Sequence, residues 1–80
     1  SKGVRVMAIA PSSPAQKGGL RGGDDRSKAD LIVAVDGEPV ETPEVLASVI
    51  AKHSVGDKVK LLIFSGDRFR EVNVSLSAVP

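Results

Sequence analysis

The sequence predicts a small, mostly antiparallel β domain with two helices, one of them short. Three observations carry that prediction. The last twenty residues read as a hairpin about a Ser-Gly-Asp-Arg turn, after which Val72, Val74 and Leu76 alternate with Glu71, Asn73, Ser75 and Ser77 as a strand with one solvated face does. A second apolar run, LIVAVDG at 31–37, ends in an Asp-Gly turn. One well-marked helical segment, TPEVLASVIAKH at 42–53, lies between the two.

Eighty residues bury only about 60–65% of the surface that the unfolded chain exposes. That supports one modest core and leaves no room for a second domain or an enclosed cofactor cavity.

The first strand is read over residues 4–10, where Val4, Val6 and Met7 to Ala10 are apolar, Arg5 is the one charge and Pro11 closes the run. PSSPAQKGGL follows. Ser13 precedes Pro14 and stands three residues before Gln16, a capping-box spacing with proline at the first helical position, and Gly18 and Gly19 stop the helix after little more than one turn. Leu20 is expected to fold back into the core. Residues 21–30, RGGDDRSKAD, hold glycines and six charges without apolar periodicity, which predicts an exposed connection.

In the run 31–37, Leu31, Val33 and Val35 alternate with Ile32 and Ala34, so the strand is apolar on both faces and should be covered by other elements. Glu38, Pro39 and Val40 continue as a short extended piece. The long helix has Thr42 as its cap, Pro43 at the first helical position and Glu44 in the first turn, where the helix dipole favours an anion. Lys52 and His53 stand near its end, where the dipole favours cations. Leu46, Val49, Ile50 and His53 fall on one broad face, with Val45 and Ala47 on the flanks, which is more apolar surface than a single core stripe requires. One flank is therefore free to face a ligand. Gly56 and Asp57 turn the chain into a strand from Lys58 through Phe64, and SGDR at 65–68 reverses it into residues 69–77.

Composition excludes several chemistries. The absence of Cys removes disulfides and thiolate metal sites, and a single His among scattered carboxylates gives no zinc spacing. Eleven Lys plus Arg against ten Asp plus Glu give a formal charge of +1, and two Phe make no stacking platform, so nucleic-acid binding has no support. No apolar run approaches the roughly 20 residues of a transmembrane helix. His53 at a helix end has an ordinary role in dipole and surface chemistry, and no spacing pairs it with a serine nucleophile. Asp24, Asp25, Asp30 and Asp36 do not fit the twelve-residue calcium loop, and Arg26 and Lys28 oppose their charge. Gly18, Gly19, Gly22 and Gly23 match neither phosphate-binding glycine pattern. Surface recognition remains, in which a sheet edge and a helix bind an extended peptide between them.

The segments GVRVMAIAPSSPAQKGGL, LIVAVDGEPV and TPEVLASVIAKHSVGDKVKLLIFSGDRFREVNVSL cover nearly the whole chain. Together they resemble the PDZ domain that follows the protease domain in the HtrA (Deg) family of trypsin-like serine proteases. Site-2 proteases and C-terminal processing proteases carry similar signatures, above all SPA followed by GL and then VDGEPV. The helix ending in AKHSVGDKVKL is what points to HtrA.

The resemblance implies a PDZ-like, partly open antiparallel β-sandwich or barrel with the circularly permuted, bacterial-type strand order. It implies a module without catalytic residues, cofactor or metal, in a parent that is a serine endopeptidase and a homo-oligomer of the bacterial periplasm or cell envelope. The expected partners are peptide or unfolded-protein C-termini and the parent's protease domain. The expected role is to recruit substrate or regulate proteolysis; the alternative is a non-catalytic assembly or spacer module. Mapping the long helix onto residues 43–53 makes Ala47 and Ile50 the side-chain pocket contributors, with Leu46 and Val49 in the core. Relatives place a carboxylate-binding loop and a groove strand before the segment equivalent to GVRVMAI, whereas only Ser1 and Lys2 precede Gly3 here. The expectation is a single domain over 1–80, truncated at its N-terminus. The loop RGGDDRSKADL also departs from the family's compact form, with Ala29-Asp30 standing where Gly-Asp is usual.

Overall fold

The computed structural model describes residues 3–7, 12–23 and 29–76. Along them run β1 (Val4–Arg5), α1 (Pro14–Lys17), β2 (Leu31–Val35), β3 (Glu38–Pro39), α2 (Pro43–Ile50), β4 (Lys58–Ser65) and β5 (Arg68–Ser75). Every strand pairing is antiparallel. The sheet runs β1-β2-β4-β5, with β3 added beside β2, and it does not close on itself.

The β4–β5 hairpin is its backbone, paired without interruption from Lys58 opposite Ser75 to Ser65 opposite Arg68. Its turn has φ of 57° at Gly66 and 61° at Asp67, the two-residue geometry whose twist matches that of the flanking strands. Asp36 and Gly37 make the same kind of turn between β2 and β3. Alternation sends Val59, Leu61 and Ile63 of β4 and Val72 and Val74 of β5 to one face, where they meet Leu20, Ile32, Val35, Val40 and Val49 in one buried cluster. Burying each such side chain is worth about 1.5–3 kcal/mol. Leu20 is buried as expected from its place after the short helix.

The Ser13 hydroxyl caps α1 by accepting the Gln16 N–H at 3.3 Å. Gln16 does not complete the predicted box. Its side-chain oxygen accepts from the N–H of Ser12, one residue further back, at 2.6 Å, where Ser12 has turned to a φ of 60°. The end of α1 rests on β5. A Cβ on Gly18 would lie 2.9 Å from the Asn73 carbonyl oxygen and 3.1 Å from Val74 Cγ2, so glycine is what permits this approach, and α1 shields part of an otherwise open sheet edge.

Three expectations are corrected. The first strand is short, with β1 ending at Arg5; residues 8–10 of the predicted strand lie outside the described residues, as do Asp24 and Asp25. The long helix ends at Ile50. Beyond it the Lys52 and His53 amides bond to Val49 and Ile50, three residues back, so the last turn tightens and leaves Lys52 and His53 outside the helix. Finally, the connection 21–30 is exposed only in part. Arg21 and Gly22 are at the surface, but Ala29 and Asp30 are 4% and 0% exposed.

Arg70 explains the burial of Asp30. It shares the core-facing parity of β5 with Val72 and Val74, so its guanidinium turns inward and requires an anion. It donates from Nη1 and Nη2 to the two carboxylate oxygens of Asp30 at 2.9 and 2.6 Å, and from Nη2 to the Gly19 carbonyl at 3.2 Å. The Arg21 N–H donates to the same carboxylate at 2.8 Å. Burial pushes the Asp30 carboxyl up, but the bonds from Arg70 and Arg21 and the attraction of their charges outweigh it and hold the group below the usual carboxylate range.

Candidate functional site

The surface that α2 presents is set by its cap. Thr42 takes an extended backbone conformation, and its Oγ1 accepts the Val45 N–H at 3.2 Å while its carbonyl accepts from Leu46 at 3.0 Å. That fixes the rotational phase of the helix. Val49 is buried, and Leu46 and Ile50 are half-buried against the core cluster. Val45, at 41% exposure, and Ala47 remain at the surface. The structure thus places Ala47 in the open and Ile50 at the boundary between core and solvent, one turn apart along the helix.

The far end of α2 is tied to the β2–β3 turn through His53. Its Nδ1 lies 3.1 Å from the Val49 carbonyl oxygen and its Nε2 lies 3.2 Å from Asp36 Oδ2. Both neighbours are acceptors, so only the doubly protonated ring donates to both at once. Asp36 also accepts the Lys60 N–H at 2.8 Å. That backbone bond, against some desolvation and with help from His53, lowers the Asp36 carboxyl from its ordinary value. His53 is therefore a tether between the helix and the β2–β3 turn, with the Val49 carbonyl and Asp36 as its side-chain partners.

β1 offers the second feature. It pairs with β2 through Val4 opposite Ile32 and Arg5 opposite Leu31, and the Val6 N–H bonds to the Asp30 carbonyl at 2.9 Å. Backbone groups alternate sides in such a ladder, so those of Gly3 and Arg5 turn away from β2. No strand among the described residues pairs with that outer edge. Gly3 is needed there, because a Cβ would lie 2.5 Å from the Ile32 carbonyl oxygen. Val4 and Val6 pack on the same cluster as Leu46 and Ile50. An open strand edge and an apolar helix flank thus share one core, the two ingredients of strand-addition peptide recognition.

Among the described residues there is no group of three or more His, Cys, Asp or Glu able to hold a metal ion, and no helix long and apolar enough to cross a membrane. Sequence reasoning missed the Asp30–Arg70 pair. The signal was present: carried two residues back from Val72, the core parity of the last strand lands on Arg70, and a core-facing arginine needs a partner acid.

A family profile described as PDZ domain matches residues 1–76. A Brucella suis protein named "Probable periplasmic serine endoprotease DegP-like" is 34% identical over 79 residues, which is 99% of this chain and 14% of that protein. The chloroplastic Protease Do-like 8 of Arabidopsis thaliana is 38% identical over 79 residues, covering 92% of this chain and 18% of its own length. The chain therefore spans less than a fifth of these relatives. The crystal structure of the PDZ domain of an SdrC-like protein from Listeria monocytogenes superposes with a TM-score of 0.82 at 29% identity, covering 100% of this chain and 77% of that one.

Proposed function

The chain belongs to the PDZ domain family, and from that premise we propose that it is the peptide-recognition and regulatory module of an HtrA-type serine protease. It reads extended or C-terminal hydrophobic segments of damaged or partly folded proteins and couples their capture to proteolysis in the parent.

The observation that carries this reading is the flank of α2 on which Ala47 stands exposed beside half-buried Ile50, one turn along the helix. In it, Ala47 and Ile50 line the side-chain pocket. The peptide backbone pairs with a groove strand that residues upstream of Ser1 supply in the longer protein, together with a carboxylate-binding loop. That strand adds to the outer edge of β1. The protease relatives support a parent serine endopeptidase, a homo-oligomer in this reading, and the name of the Brucella relative supports the periplasm or cell envelope. The chloroplastic relative shows that the likeness is not confined to bacteria.

The test is to titrate a library of C-terminal peptides against this 80-residue chain and against one extended upstream by about 20 residues, the length of a strand and its loop. Saturable binding of apolar C-termini by the extended form, weakened by Ile50→Asp and by Ala47→Asp, is the expected result. The Ala47 variant alters an exposed position and so separates loss of the site from loss of the fold. Absence of saturable binding to either form would defeat the reading in favour of an assembly or spacer module.

A further inference from the structure

Away from α2, the outer face of the β4–β5 hairpin divides into two halves. Next to the turn it is apolar, with Phe64 and Phe69 at a ring-centroid distance of 4.9 Å. At the other end it is cationic. Lys60 lies directly opposite Asn73 and Lys58 directly opposite Ser75, and all four are exposed. α1 adds a third ammonium group, because Lys17 lines an open cleft of about 380 Å³ with Pro14, Gly18, Asn73, Ser75 and Leu76. Asn73 and Ser75 are thus shared, bordering the cleft on one side and the β4 lysines on the other.

None of these three lysines has an ion-pair partner among the described residues. Two neighbouring carboxylates are already engaged: Asp36 holds the Lys60 N–H and His53, and Asp57 accepts the Ser54 N–H at 2.9 Å. Glu71, diagonal to Lys60 on the same face, is the acid that marks the limit of the cationic half.

We propose that this surface binds an extended acidic peptide segment with carboxylates at alternate positions. Lys58 and Lys60 project from one face of a strand two residues apart, about 6.7 Å along it, which is the spacing of alternate side chains in an extended peptide. Lysine is a point charge without the fork that arginine offers to phosphate, and charges spread in this way do not converge on one small anion. The amide of Asn73 and the hydroxyl of Ser75 supply hydrogen bonds between the ammonium groups, and Pro14 and Leu76 give the intervening side chains an apolar wall. The surface is independent of α2 and does not depend on the reading given to that helix. Its lysines are exposed, so the attraction is salt-sensitive.

The experiment follows backbone amide shifts of the isotopically labelled 80-residue chain as an N-acetylated, C-amidated peptide of alternating Glu and Ser is added. Blocking both ends removes any terminal carboxylate. The expected result is saturable shifts at Lys17, Lys58, Lys60, Asn73 and Ser75, weakening several-fold between about 50 and 500 mM salt. The double variant Lys58→Gln/Lys60→Gln loses most of the affinity while its other amide positions stay in place, and Lys58→Arg/Lys60→Arg retains it. The proposal is overturned if no saturable shifts occur, if they persist in the glutamine variant, or if they map to α2. It is equally overturned if tripolyphosphate or anionic phospholipid vesicles shift these amides and the peptide does not.

Discussion

Two aspartates, Asp30 and Asp36, flank β2, and the structure uses them in opposite ways. Asp30 is wholly buried and takes two hydrogen bonds from Arg70 and one from the Arg21 backbone. Asp36 is half-exposed and holds the Lys60 N–H and His53. The first pair ties the Gly19–Arg21 turn and the start of β2 to β5, so breaking it strands a charge inside the protein. The second ties the end of α2 to a surface turn where water can replace either partner. Equal chemistry thus yields unequal consequences, because the cost of an unpaired charge is set by what surrounds it.

The buried pair is the more costly of the two to disrupt. Arg70→Ala leaves Asp30 uncompensated and is expected to cost about 3–5 kcal/mol of unfolding free energy by urea titration; a loss below about 1 kcal/mol would show that water reaches the carboxylate. The double change Asp30→Asn/Arg70→Met keeps an acceptor for the Arg21 N–H and removes both charges, so it is expected to lose clearly less than Arg70→Ala alone.

Acid gives a second, graded test. The folded-state pKa of Asp30 lies below its unfolded value, so the stability it contributes is present above pH of about 4 and drains away as pH falls toward the folded-state value. Urea midpoints of Arg70→Ala should therefore fall less steeply between about pH 4 and pH 2 than those of the parent chain. An unchanged slope would assign acid sensitivity to other carboxylates.

Smaller effects follow at α2. Thr42→Ala removes the acceptor for the Val45 N–H and is expected to cost about 1 kcal/mol. Smallest of all, Asp36→Asn should leave the thermal midpoint within error of the parent, while His53 ring signals shift in an NMR spectrum; a large destabilisation would place the surface tether on a par with the buried pair.

Much of this was legible in the sequence, for identifiable reasons. The hairpin was readable because its core and solvent positions alternate from Lys58 to Ser75 and a two-residue turn separates the strands. The start of α2 was readable because Thr42 and Pro43 are chemically specific for a helix N-terminus. Its end was not, since nothing in Ala51-Lys52-His53 announces the tightened turn. The loop before β2 was misread because charge density there argued for solvent, whereas Asp30 is buried by an arginine forty residues away in the chain. Local composition cannot express a partner at that distance. For the candidate site, the sequence showed that α2 carries surplus apolar surface, and the structure divided it into buried Val49, half-buried Leu46 and Ile50, and exposed Val45 and Ala47.

Whether the open flank of α2 reads apolar peptide ends is decided by adding an apolar C-terminal peptide to the isotopically labelled, upstream-extended chain and following its amide and methyl signals. Saturable shifts centred on Ala47 and Ile50 and on the added upstream strand are expected, and they are abolished when the peptide's terminal carboxylate is amidated. Saturable binding whose shifts avoid α2, or no binding at all, would contradict it.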